Sequence, residues 1–345
     1  MEVTRRTYGR AFLIGIGLCG SLFMASLVLT SCGSSTAESL AVQTAASPVP
    51  DNVEPATPPA PPVSPEPDPA ARLFASGFEA PVTIASNDSE GNVIQQVQGS
   101  DVATFEWRDS LWGEPQGEDI GIQSIVGEAA PLPAASYCSV DILDVTGRTG
   151  APTRALSLAN IGVSPATSVQ QIALRRIDMA DEPVFYQRMW VKFDVDTLRR
   201  AVAAGDRDFY QIFWEVKAEP DFRMRLQLQY DARDGLYWQT QADTLASSDA
   251  LWSSTLNTVP VVLAPHDAAQ GWHKVEVWMD RPGNRFRAAI DDAVLADHRG
   301  PLMGSSGNRI DVMLMMIVYS SVAPLAGVLF DDLEVWSAPP SELWR

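Results

Sequence analysis

The chain predicts an all-β sandwich of two antiparallel sheets, and three observations predict it. From Val184 onward, short runs rich in β-branched and aromatic residues follow one another: VFYQRMWVKFDV, FYQIFWEVK, FRMRLQLQY, LYWQTQ, WHKVEVWMD, RFRAAI, RIDVMLMMIVY and VLFDDLEVW. The segments DARDG, DRPGN, DD and SSGN between them carry turn chemistry. Helical signals are few, and one short helix is expected, DTLRRAVAAG at residues 196–205, with Asp196 as N-cap and Gly205 just past its end. Strand after strand joined by tight turns builds a sandwich, not a doubly wound α/β fold.

The elements before the domain read in order. MEVTRRTYGR is a basic start, AFLIGIGLCGSLFMASLVL an apolar run, and small residues follow up to a Cys, which is the layout of a secretory signal. The tetrad Leu29-Thr30-Ser31-Cys32 resembles the lipobox of bacterial lipoproteins. That resemblance implies a signal peptide at 1–31, lipidation of Cys32, and an anchor that does not span the bilayer. Gly33 follows the Cys where an Asp would imply inner-membrane retention, so the expected location is the outer membrane or cell surface. Residues 32–71 are Ser, Thr, Ala and Pro, with Pro48 to Pro69 the densest part, and are expected to form a disordered tether.

Residues 72–345 hold all ten tryptophans and are expected to be one domain with a sizeable core. The chain has 25 Lys and Arg against 43 Asp and Glu, a net charge of −18. Such a balance argues against bulk nucleic-acid or anionic-membrane binding. With Cys19 in the signal and Cys32 lipidated, Cys138 stands alone, so no intrachain disulfide is expected. No glycine-rich nucleotide loop, zinc motif or nucleophile elbow occurs, and neither a nucleotide nor an organic cofactor is expected. Asp231 and Asp234 in DARDG, or Asp331 and Asp332 in FDDLEV, are the candidate ligands of a structural Ca²⁺.

WHKVEVWMDRPGNRFRAAIDDAVLAD, closed by VLFDDLEVWSAPP, resembles the C-terminal half of concanavalin A-like jelly rolls, and LFASGFEAPV resembles the opening of exported sandwiches of that type. This implies a jelly-roll domain over about 73–340. The same fold hosts lectins, laminin-G modules, glycosidases and polysaccharide lyases, so function must come from the residues.

Side chains alternate faces along a strand. In FRMRLQLQY, Phe222, Met224, Leu226, Leu228 and Tyr230 are expected in the core and Arg223, Arg225, Gln227 and Gln229 outside. The same phase puts Arg188, Trp190 and Lys192 outside on one neighbouring run and Gln211, Phe213, Glu215 and Lys217 on another. Tyr237, Gln239 and Gln241 follow after the DARDG turn. If these four strands are neighbours, their outer faces form an oligosaccharide groove. Aromatic rings stack on sugar faces, amides bond hydroxyls, and arginine forks hold uronate carboxylates.

The expected partner is therefore a polysaccharide, favoured as an acidic one. Hydrolysis is disfavoured because Glu-x-Asp-x-x-Glu is missing; in FDDLEV, Asp332 and Glu334 are expected on one face and Asp331 on the other. Resemblance to jelly-roll polysaccharide lyases adds a catalytic reading, in which Arg223 or Arg225 with Gln239 neutralises the uronate while Tyr237, Lys217 or His273 moves protons. His273 shares its phase with Val275 and Val277 and is expected to be a satisfied strand histidine. A structural or adhesin-like surface protein, with no ligand on this face, stays open as a third reading.

Overall fold

The computed structural model describes residues 72–89, 92–102, 122–126, 138–160, 168–173, 184–193, 208–218, 222–231, 233–243, 250–300, 311–319 and 327–339. The expected signal segment, tether and 196–205 helix lie outside them.

Seventeen strands form among the described residues: β1 (Arg72–Ser76), β2 (Thr83–Ser89), β3 (Asn92–Gln98), β4 (Ile122–Val126), β5 (Cys138–Thr146), β6 (Pro152–Asn160), β7 (Ser168–Ala173), β8 (Val184–Phe193), β9 (Asp208–Ala218), β10 (Phe222–Asp231), β11 (Gly235–Asp243), β12 (Ala250–Leu256), β13 (Trp272–Asp280), β14 (Arg285–Ile290), β15 (Ala293–Arg299), β16 (Asp311–Tyr319) and β17 (Gly327–Trp336). They make two antiparallel sheets, as expected. An eight-stranded sheet runs β15-β14-β13-β8-β17-β6-β5, with β1 also on β17, and a nine-stranded sheet runs β12-β11-β10-β9-β16-β7-β4-β3-β2.

The core lies between the sheets because each contributes one apolar face. Phe185, Met189, Val191 and Phe193 of β8 meet Met224, Leu226 and Leu228 of β10 and Trp238 of β11 in one buried cluster. Phe193, Phe213 and Trp238 pack edge to face, with ring centroids 5.3–6.0 Å apart. Such geometry is worth about 0.5–1.5 kcal/mol per pair beyond area burial. A polar link crosses the core: the Trp214 indole N–H donates to Gln187 Oε1 at 3.2 Å, joining the sheets.

The LFASGFEAPV opening is pinned by one carboxylate. Asp101 accepts from the Gly77 N–H at 2.8 Å, the Glu79 N–H at 3.0 Å and the Ser76 hydroxyl at 3.0 Å, and Phe78 is buried beneath it. This loop meets a bulge in β17. The register jumps from Asp331 opposite Trp190 to Glu334 opposite Arg188, with Asp332 at φ 44°. The bulge consumes one residue of alternation. Asp331 therefore joins Asp332 and Glu334 on the outer side, which corrects the expectation that Asp331 would lie on the opposite face from that pair.

Candidate functional site

β9, β10 and β11 are consecutive strands of the nine-stranded sheet, and their register builds one polar outer face. Arg223 lies opposite Asp243, Arg225 opposite Gln241, Gln227 opposite Gln239 and Gln229 opposite Tyr237. On the β9 side, Arg225 lies opposite Glu215 and Arg223 opposite Lys217.

Charge on this face is held by a buried carboxylate. Asp243, 0% exposed, accepts from Arg223 Nε at 2.5 Å and pairs with Arg225 Nη2 at 3.1 Å. Gln241 Nε2 donates to the same carboxylate at 3.5 Å, and Gln227 Nε2 donates to both Gln239 Oε1 and Gln229 Oε1. Arg225 sits 5.7 Å from the centre of the Tyr210 ring. Burial raises the Tyr210 hydroxyl above its ordinary value, and Arg225 and Arg223 pull it back only in part.

The face has a buried floor and an accessible rim. Arg225, Gln227, Glu215 and Asp243 are buried, whereas Arg223, Gln229, Tyr210, Tyr237, Gln239 and Gln241 are half-exposed. In the floor, Arg225 Nε and Gln227 Oε1 have no hydrogen-bond partner among the described residues. A buried polar atom left unmatched costs about 1–3 kcal/mol, so these two atoms are the unmet hydrogen-bonding capacity of the floor among the described residues.

Several residues predicted for this face lie elsewhere. A bulge between Leu226 and Gln227 skips Phe213, so that Leu226 faces Trp214, Gln227 faces Ile212 and Leu228 faces Gln211. Phe213 thus enters the core, and Gln211 turns inward, donating to the Gly327 carbonyl of the other sheet at 3.5 Å. The same bulge brings Tyr210 out, opposite Gln229. Tyr210 and Asp243 are the two members that sequence reasoning missed. Continuing the alternation past Gln241 would have found Asp243; nothing in the local pattern marks the bulge that exposes Tyr210. Lys217 holds its register position, but its side chain lies outside the described residues.

β8 is not a neighbour of these strands: it pairs with β13 and β17 in the other sheet. Arg188, Trp190 and Lys192 therefore lie on the opposite side of the sandwich. There, Arg188 donates through Nε and Nη2 to Glu334 Oε2 at 2.8 and 2.5 Å. Burial alone would lower the Arg188 guanidinium, but Glu334 more than offsets it and leaves it above its ordinary value. Trp190 lies under the Arg148 guanidinium, 4.7 Å from its ring centre. Lys192 is fully buried, donates to the Ala268 carbonyl at 2.5 Å and is held below its ordinary value by that burial.

The proton-moving roles fare differently. Tyr237 is hydrogen-bonded to Asp231, whose carboxylate also accepts the Arg233 and Asp234 N–H groups at 2.9 and 2.6 Å and is thereby held below its usual value. Asp231 thus closes the β10–β11 hairpin. His273 accepts the Val262 N–H on Nε2 at 3.0 Å, contacts Asp291 through Nδ1 at 2.7 Å, and packs on Trp238. It is a satisfied histidine on the core side. Among the described residues no group of three His, Cys, Asp or Glu side chains could hold a metal ion.

The bulge carboxylate Asp331 is 3% exposed and is raised from its ordinary 3.8 to about 7, first by burial and then by Asp332. An acid raised on folding binds its proton more tightly in the folded state. Its contribution to stability is therefore complete below the unfolded value of 3.8 and is lost as pH rises toward about 7. Asp331→Asn is expected to flatten this decline and to exceed wild type in stability at about pH 8. Urea denaturation at about pH 5 and about pH 8 checks it; equal pH slopes in the two proteins would contradict the assignment.

No protein-family model matches the sequence, and the search of curated proteins finds no match. Solved structures with a similar arrangement include the carbohydrate recognition domain of Emp47p, at 11% identity and a TM-score of 0.35, covering 65% of this chain and 89% of that one. Another is alginate lyase AlyC3 in complex with dimannuronate, at 10% identity and a TM-score of 0.36, covering 58% and 89%. A third comes from work on endo-acting O-glycanases of the human gut microbiota, at 8% identity and a TM-score of 0.41, covering 78% and 100%. At TM-scores of 0.41 and below, none assigns a function to this chain.

Proposed function

We propose that the outer face of β9, β10 and β11 binds a polysaccharide. One observation carries this reading: Arg225 Nε and Gln227 Oε1 are buried without partners among the described residues, in a floor rimmed by Gln229, Tyr237, Gln239 and Tyr210. A sugar chain supplies what that floor lacks, since hydroxyls both donate and accept and ring faces lie against tyrosines. Uronate units are the favoured subset, because a carboxylate reaching Arg225 would meet the free Nε edge of a guanidinium fork. Asp243 and Glu215 offset the charges of Arg223 and Arg225, so selectivity rests on geometry, not on a bare positive patch.

Binding is favoured over turnover because Tyr237 is engaged by Asp231 and His273 lies on the core side. The Asp243 pairing by itself favours a second reading, a purely structural polar layer. The test is a panel of neutral and uronic polysaccharides presented to the detergent-solubilised full-length protein, following retention and the absorbance of unsaturated uronate ends. Retention without absorbance supports a lectin-like module, rising absorbance makes it a lyase, and silence in both leaves the structural layer.

The membrane attachment is part of the same proposal. Cys32 carries lipid, residues 33–71 act as a spacer, and the domain stands outside the cytoplasm at the outer membrane or cell surface. Radiolabelled palmitate fed to expressing cells is expected to enter the protein and to be lost in Cys32→Ser. Equal labelling of both would sink the assignment.

A further inference from the structure

The face opposite the proposed groove carries a cavity of its own. It occupies about 380 Å³ on the outer side of the eight-stranded sheet, where Arg188 and Trp190 of β8, Lys274 of β13 and Glu334 of β17 meet Arg148 and Asp332. That volume is within the roughly 300–1,000 Å³ usual for small-ligand sites. Its walls are mostly strand residues, and Arg148 projects from a tight turn closed by the Gly150 N–H to the Gly147 carbonyl at 2.9 Å.

The electrostatics are inverted relative to the chain. In a protein of net charge −18, the lining holds four cations, Arg72, Arg148, Arg188 and Lys274, against two carboxylates, Asp332 and Glu334. Each cation already has a carboxylate, Arg72 and Arg188 on Glu334, Arg148 on Asp332, and Lys274 on Glu276 at 3.2 Å and Asp292 at 2.5 Å, yet Arg148 and Arg188 keep donors over. Both Arg188 contacts go to the single oxygen Oε2 of Glu334, and Arg148 reaches Asp332 through Nη1 alone. Arg148 also caps Trp190, so a guanidinium and an indole line the same cavity.

We propose that this cavity is a second ligand site, which takes a monomeric or chain-terminal sugar carrying a carboxylate. Phosphate or sulfate would use the cations and leave the indole idle, whereas a neutral sugar would use the indole and put no charge on the remaining Arg148 and Arg188 donors. A hexuronate uses both, its carboxylate on the donors that Arg148 and Arg188 have left over and its ring along Trp190. The site is independent of the groove on the nine-stranded sheet. Should both bind uronates, one domain would link two chains.

Isothermal titration of the full-length protein in detergent with glucuronate, glucose and sodium sulfate tests it. Glucuronate is expected to bind saturably, with glucose and sulfate each at least about tenfold weaker. Arg148→Ala should weaken glucuronate by about 10–100-fold, the loss expected for removing a charged hydrogen-bonding partner. Arg148→Lys, which keeps the charge at an exposed turn and loses the fork, should weaken it less than Ala and more than not at all. Sulfate binding as tightly as glucuronate overturns the proposal, as does affinity indifferent to both Arg148 variants. Glucuronate failing to bind while polysaccharide retention persists overturns this site alone. Monomer binding that depends on Arg148, with no polymer retained, sustains it while the groove reading falls.

Discussion

Asp243→Ala is expected to cost about 3–5 kcal/mol of folding stability, the penalty for removing one partner of a buried ion pair. The side chain is fully buried and pairs with two arginines, Arg223 at 2.5 Å and Arg225 at 3.1 Å. Its loss leaves the Arg225 guanidinium charged in a buried floor with Glu215 as the nearest balancing residue in register. Urea denaturation measures the effect. A loss below about 1 kcal/mol would mean that the pair is solvated and is not the floor described here. The double variant Asp243→Leu with Arg225→Met should recover part of the loss, because two apolar groups leave no stranded charge.

Trp238→Ala is expected to be as severe, about 3–5 kcal/mol, through cavity formation. The indole lies on the core side of β11, within 6.0 Å of Phe193 and Phe213 and 4.9 Å of His273 by ring centroids, and its N–H donates to the Val259 carbonyl at 3.1 Å. Truncation empties the centre of the packing that supports β11 from beneath. For a domain of this size the melting temperature should fall by about 2–4 °C per kcal/mol. Calorimetry checks it, and a shift of less than about 3 °C would place Trp238 outside the cooperative core.

Much of the fold was legible because its strongest strands are patterned by simple physics. β10, the DARDG turn and β11 follow directly from alternation and turn chemistry, and Asp231 closes that turn by accepting two backbone N–H groups. Alternation also identified Arg223, Arg225, Gln227, Gln229, Tyr237 and Gln239 as residues of one face. What alternation cannot tell is which sheet a strand joins. β8 has the same apolar inner and polar outer phase as β10, yet it pairs with β13 and β17, which carried Arg188, Trp190 and Lys192 to the opposite side. Nor can a period of two reveal a bulge. One skipped residue at Phe213 exchanged Phe213 and Gln211 for Tyr210 on the outer face, and another at Asp332 reversed the phase of Asp331. Strands such as β2, β3 and β7 are rich in Ser, Asn and Gln, and their pairing depends on neighbours more than on their own apolar pattern.

The central claim is that the outer face of β9, β10 and β11 holds a sugar chain through the unmatched Arg225 Nε. The most direct measurement compares wild type with Arg225→Lys in affinity electrophoresis through gels containing uronic polysaccharides. Lysine keeps the charge beside Asp243 and lacks the Nε–H edge. Retardation of wild type, reduced about tenfold or more in Arg225→Lys at an unchanged melting temperature, is the predicted result. A wild type that no polysaccharide retards, or a lysine variant retarded equally, would contradict it.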